Sequence, residues 1–128
     1  MNQGTGARRI SSNPHTLMHS VLVYHSISSP PEPMEADADI SPQRFEHQLR
    51  WLSRWRRVVP LDETLHVPAR NGLVAITFDD GYRDNLTVAL PLLERFELPI
   101  TLFVTAGFLG RDEYLSREDL RDTVELTL

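Results

Sequence analysis

Residues 73–82, LVAITFDDGY, join an almost wholly apolar run to two adjacent carboxylates and a glycine. A short run of this kind is typical of a β-strand that is covered on both faces, as the strands of a parallel sheet are. In parallel α/β folds, ligands bind at the carboxyl ends of the strands, which is where Asp79 and Asp80 follow. Gly81 allows a sharp turn with no side chain above that position. This stretch therefore predicts a buried strand with a polar site at its end.

The segments on either side predict an alternation of strands and helices. Apolar runs predict further strands at residues 21–24, 58–59 and 100–105, the first of them buried. Apolar spacing and helix-start residues predict one helix over 85–96 and others that begin at residues 41 and 116. The aromatic residues of the first helix are predicted to pack in the core: Phe45, Trp51 and Trp55. Strands separated by helices imply βαβ units, so the predicted fold class is α/β with mainly parallel strands.

The composition excludes several classes of protein. A chain of 128 residues fits one domain, and the absence of cysteine excludes a disulfide framework, a thiolate zinc site and a cysteine nucleophile. Its 13 basic residues against 18 acidic ones argue against a nucleic-acid binder. All the basic residues are arginine, which excludes a Schiff-base lysine and a phosphate-loop lysine.

The amino-terminal segment differs in composition from the rest of the chain. Residues 1–18 are rich in Gly, Ser, Asn and Arg, and they are predicted to be a flexible tail ahead of a folded portion over 19–128. A secretory signal needs about 7–15 consecutive apolar residues and a membrane span about 18–20, and the apolar runs here are far shorter. We therefore expect no membrane span and a cytoplasmic location.

The residues alone leave more than one interpretation of the pair Asp79 and Asp80 open. Asp-Gly is common in simple turns, but a hairpin needs a second strand, and a helical pattern follows Tyr82 instead. Two adjacent carboxylates repel each other, and a common solution is that one binds a cation while the other handles protons. Phosphoryl transfer by an aspartyl nucleophile is a further alternative, which the absence of lysine disfavours.

The stretch TFDDGYRDN at residues 77–85 closely resembles the first motif of the polysaccharide deacetylase family, a domain of the carbohydrate esterase family four type that chitooligosaccharide deacetylases share. Further segments look like the strands and helices around that motif in the family: residues 23–27, 41–52, 89–93 and 98–104. The resemblance covers residues 21 to 120 in order and spacing, and it corresponds to the amino-terminal part of the family's domain.

This resemblance implies a fold, an activity and two site residues. The implied fold is an incomplete, distorted β/α barrel, and the implied activity is metal-dependent hydrolysis that removes N-acetyl or O-acetyl groups from a carbohydrate polymer or oligosaccharide. By position in the motif, Asp79 would be the general base and Asp80 a ligand of a divalent metal such as Zn²⁺. The implied partner is an N-acetylated carbohydrate substrate.

The family's second metal-binding motif, His-(Ser/Thr)-x-x-His, is expected about where this chain stops. We therefore expect weak or no catalysis from the chain as given, and the alternative function is that of a non-catalytic truncated homologue or gene fragment. His15 and His19 fit the spacing of that motif but precede Asp79, the reverse of the family order. His25 follows the first predicted strand, at the same sheet edge as Asp79. Whether His15, His19 or His25 contributes to a site stays open at this point.

Overall fold

The computed structural model of this chain describes residues 18–28 and 39–127. The predicted tail therefore lies, apart from Met18, outside the described residues. The strands are β1 (Ser20–Tyr24), β2 (Ser26–Ile27), β3 (Asp39–Ile40), β4 (Val74–Phe78) and β5 (Thr101–Leu102). The α-helices are α1 (Pro42–Trp55), α2 (Leu90–Arg95) and α3 (Arg117–Thr127).

The main sheet is parallel, as the sequence predicts. Its order is β1-β4-β5, with β4 in the middle, and β2 and β3 form a separate parallel pair. The register places Tyr24 opposite Phe78 and Phe78 opposite Leu102. Val58 adds an isolated parallel bridge to Val74 at the amino end of β4. The α/β fold class with parallel strands is confirmed.

Helices begin where local sequence signals place them. Ser41 caps α1, because its side-chain oxygen accepts a hydrogen bond from the Arg44 backbone N–H, and Pro42 is the first helical residue. The predicted helix over 85–96 is divided into a π-helical turn, Asn85–Ala89, followed by α2. Pro91 is the second residue of α2 and follows the π-helical turn directly.

The core lies between the sheet and helices α1 and α2. One face of the sheet, which we call the helix-covered face, packs against both helices and consists of Leu22, Tyr24, Val74, Ile76, Phe78 and Leu102. The rings of Tyr24, Phe45 and Phe78 form an aromatic cluster with centroids 5.0 to 5.8 Å apart. Phe45 is fully buried as predicted, but the core prediction for Trp51 and Trp55 is wrong, because their side chains are 51% and 67% exposed.

The opposite face of the sheet is covered only in part. All of β4 is buried, whereas β1 alternates, and its Val21 and Val23 side chains are 48% and 53% exposed. Phe103, which follows β5, is 50% exposed. The prediction that β1 is a buried strand is therefore wrong. A short apolar run does not distinguish a central strand from one at the edge of a sheet.

Candidate functional site

Asp79 and Asp80 lie at the carboxyl edge of the sheet. The Asp79 backbone N–H donates to the Tyr24 carbonyl at 2.9 Å, and the Phe103 N–H donates to the Phe78 carbonyl at 2.8 Å. These bonds join the end of β4 to the ends of both neighbouring strands. The two carboxylates are thus carried by the rigid centre of the sheet, and both are partly exposed to solvent.

The turn after β4 needs backbone conformations that few residues adopt. Asp80 has φ 76° and Gly81 has φ 81°, both in the left-handed region. A Cβ atom on Gly81 would lie 3.1 Å from Cγ1 of Val104, so this position has little room for a side chain. The chain then passes into the helical segment that begins at Asn85, and the Asp-Gly pair is therefore a turn from strand to helix.

His25 reaches the site from the neighbouring strand. It follows β1 directly, and its Nδ1 atom lies 2.9 Å from Oδ2 of Asp80. Both side chains are about one-third exposed, at 35% and 36%. The sequence left the role of His25 open, and the parallel register of β1 and β4 is what brings the two residues together.

Asp84 and Asn85 bind the segment that carries His25. Asp84 accepts hydrogen bonds from the Ser26 hydroxyl at 2.6 Å and from the Ile27 backbone N–H at 3.1 Å. The Asn85 side-chain amide donates to the His25 carbonyl at 2.8 Å. Both residues belong to the motif at residues 77–85, and the sequence alone assigned neither of them a role. Their asparagine and aspartate side chains after a strand-end turn were the available signal.

An aromatic group lies against the same turn. The Tyr82 and Tyr114 rings stack with centroids 4.9 Å apart, and the centroids of the Phe108 and Tyr114 rings are 4.7 Å apart. Hydrogen bonding to Tyr114, with smaller contributions from burial and from the nearby Asp80 charge, raises the pKa of Tyr82 to about 12. Tyr82 therefore stays protonated and neutral across the physiological pH range.

His19 does not join this site. Its Nδ1 atom accepts a hydrogen bond from the Leu73 N–H at 3.0 Å, and its Nε2 atom lies 2.8 Å from the Val67 carbonyl. Leu73 precedes β4, so His19 is at the opposite end of that strand from Asp80. His15, the other histidine of the predicted pair, lies outside the described residues.

Asp80 and His25 offer donor types that Zn²⁺ accepts, a carboxylate oxygen and an imidazole nitrogen. A zinc site usually takes at least three protein ligands. Among the side chains that the structure describes, no three of His, Cys, Asp or Glu come together in a way that could hold a metal ion. The described residues therefore fit part of a metal site.

Comparison with known proteins identifies relatives of one kind. A family model described as polysaccharide deacetylase matches residues 66–126. YxkH of Bacillus subtilis (strain 168), which carries the name of a polysaccharide deacetylase, is 29% identical over 112 residues, or 82% of this chain. A poly-beta-1,6-N-acetyl-D-glucosamine N-deacetylase of Staphylococcus aureus (strain MSSA476) is 27% identical over 93 residues, or 65% of this chain.

The same likeness holds in three dimensions. The structure of IcaB from Ammonifex degensii matches with a TM-score of 0.73 and 29% identity. The match covers 87% of this chain and 50% of the IcaB chain. The chain spans 38% and 32% of the two curated relatives above, about a third of their length. The fold is thus part of the (β/α) barrel of these deacetylases. No helix among the described residues is long and apolar enough to cross a membrane.

Proposed function

We propose that this chain belongs to the polysaccharide deacetylase family and is part of a hydrolase that removes acetyl groups from an N-acetylated carbohydrate. Asp79 is the proposed general base and Asp80 the proposed ligand of a divalent cation such as Zn²⁺. When bound at such a site, this cation supplies a Lewis acid that polarises the acetamide carbonyl. The similarity to a deacetylase named for poly-N-acetylglucosamine supports this class of substrate.

The observation that carries the proposal is that the two carboxylates differ in their hydrogen bonds. Asp80 accepts a hydrogen bond from His25, whereas the Asp79 carboxylate has no hydrogen bond to any described side chain and is partly exposed. Amide hydrolysis needs a group that takes a proton from the attacking water. Asp79 is free to accept that proton, and the backbone hydrogen bond from its N–H to Tyr24 holds the residue at the strand end.

A non-catalytic homologue is the second candidate. It is favoured by the described residues, among which no three His, Cys, Asp or Glu side chains come together, whereas a zinc site takes at least three ligands. For this reason we expect slow acetate release from the chain as it stands.

Acetate release from N-acetylated β-1,6-glucosamine oligomers and from chitooligosaccharides, with Zn²⁺ or Co²⁺ added, tests the proposal. We expect Asp79→Asn to lower the rate by about 10²–10⁴-fold, because general-base catalysis contributes that much. Asp122→Asn, which neutralises an exposed carboxylate on α3, is the matched control and should keep the rate. Absence of release from the unaltered chain supports the non-catalytic homologue, and an unchanged rate in Asp79→Asn refutes the role of Asp79.

A further inference from the structure

We propose that His25 is a positioning residue that holds the Asp80 carboxylate in one orientation through the hydrogen bond at its Nδ1 atom. The proposal rests on the metal-ligand role proposed above for Asp80 and adds a residue that acts through it.

The backbone around His25 is fixed on both sides by the same motif that contains Asp80. The carbonyl of Tyr24 accepts from the Asp79 N–H at 2.9 Å, and the carbonyl of His25 accepts from the Asn85 amide at 2.8 Å. Asp84 binds the next two residues, Ser26 and Ile27. The imidazole therefore projects from an anchored backbone, which is what a side chain that orients another one requires.

The hydrogen-bonding capacity of the two side chains identifies the donor. An ionised carboxylate only accepts hydrogen bonds, so the proton between the two side chains belongs to Nδ1 of His25. Oδ2 of Asp80 is thereby occupied, and Oδ1 has no hydrogen bond to any described residue. Carboxylates that bind metals are commonly hydrogen-bonded by a second group that sets their orientation.

A purely structural role explains the contact less well. The turn that carries Asp80 is already tied by backbone hydrogen bonds from Asp79 to Tyr24, from Thr105 to Asp80 and from Leu115 to Gly81. A pair that is one-third exposed adds little to folding. Removal of the imidazole should therefore free the carboxylate while the fold stays.

The first test measures the side-chain rotamer of Asp80 in the metal-free, isotope-labelled chain by its Hα–Hβ coupling constants. We expect one χ1 rotamer in the unaltered chain, averaged couplings in His25→Ala, and recovery in His25→Asn, whose amide replaces the Nδ1 donor. His66→Ala, at an exposed histidine, is the matched control. A single Asp80 rotamer in a folded His25→Ala chain, or equal averaging in both His25 variants, overturns the proposal.

The second measurement needs no variant that might fail to fold. Imidazole ¹⁵N shifts of the unaltered chain should show the proton on Nδ1 of His25, and a His25 with an unprotonated Nδ1 overturns the proposal.

Zinc titration links the proposal to the function. We expect the Zn²⁺ affinity, followed by the Asp80 signals, to fall about 10–100-fold in His25→Ala and to recover largely in His25→Asn. Equal losses in both variants would mean that the imidazole binds the metal directly, which overturns the positioning role. If zinc leaves the Asp80 signals of the unaltered chain unchanged, the metal role proposed for Asp80 fails, while the coupling constants still decide the role of His25.

Discussion

Strands β1 and β4 are neighbours of equal length that differ in burial. Both are largely apolar, and five residues of each pair in parallel register. Every side chain of β4 is buried, whereas β1 has one partly buried face and leaves Val21 and Val23 about half exposed. Strand β4 has a strand on each side, and β1 has one neighbour in the sheet. Apolar side chains therefore make a strand suitable for burial, and the number of strands paired with it determines how fully those side chains are buried.

The same difference shapes the candidate site. The central strand carries both carboxylates, and the edge strand carries the imidazole that contacts one of them. The acidic pair thus depends on the best-packed part of the sheet. The orientation of Asp80 depends, through His25, on the strand with the less complete packing.

The largest expected effect is at the centre of the sheet. Phe78 is fully buried between the Tyr24 and Phe45 rings, so Phe78→Ala should lower the free energy of unfolding by about 3–5 kcal/mol. Urea unfolding followed by circular dichroism measures this loss. Phe103→Ala, at a half-exposed ring beside the same sheet, should cost much less, and equal losses would contradict the difference between the two positions.

A single substitution made in both strands sharpens the comparison. Val74→Thr places a hydroxyl in the buried cluster and should cost about 1–3 kcal/mol of unfolding free energy. Val23→Thr makes the same chemical change at a side chain that is 53% exposed and should stay within about 0.5 kcal/mol. Denaturant midpoints of the two variants measure the difference. Similar midpoints would mean that β1 is covered as fully as β4.

The smallest expected effect concerns Tyr24, which lies in β1 on the helix-covered face of the sheet. Burial raises the pKa of Tyr24 above its ordinary value of 10. Because the unfolded chain then loses this proton first, the contribution of Tyr24 to stability should be constant well below pH 10 and should fall as the pH rises through and above it. Denaturant midpoints measured from about pH 8 to about pH 11, on both sides of the ordinary tyrosine pKa, test this. Tyr24→Phe should show a shallower decline of the midpoint with pH than the unaltered chain, and equal slopes in these two chains would contradict the prediction. Tyr82→Phe, which removes the other tyrosine with a raised pKa, is measured for comparison.

The sequence predicted much of the fold and part of the site. Residues 73–82 indicated the buried strand, the turn and the acidic pair at the end of the strand, and the structure contains all three. It did not predict the exposure of Val21, Val23 and Trp51, because exposure depends on which neighbours cover a face. The roles of Asp79 and Asp80 as base and metal ligand remain predictions.

His19 and His25 show most clearly what sequence and tertiary structure each decide. By itself the sequence determined that strands alternate with helices and that two carboxylates follow an apolar strand, because apolar periodicity and helix caps are local properties. The two histidines stand at either end of β1, and the sequence placed His25 at the sheet edge of Asp79 but left its contacts open. Parallel pairing with β4 places His19 beside Leu73 and His25 beside Asp80. Only the tertiary structure could decide these contacts, because register joins residues that are more than 50 positions apart in the chain.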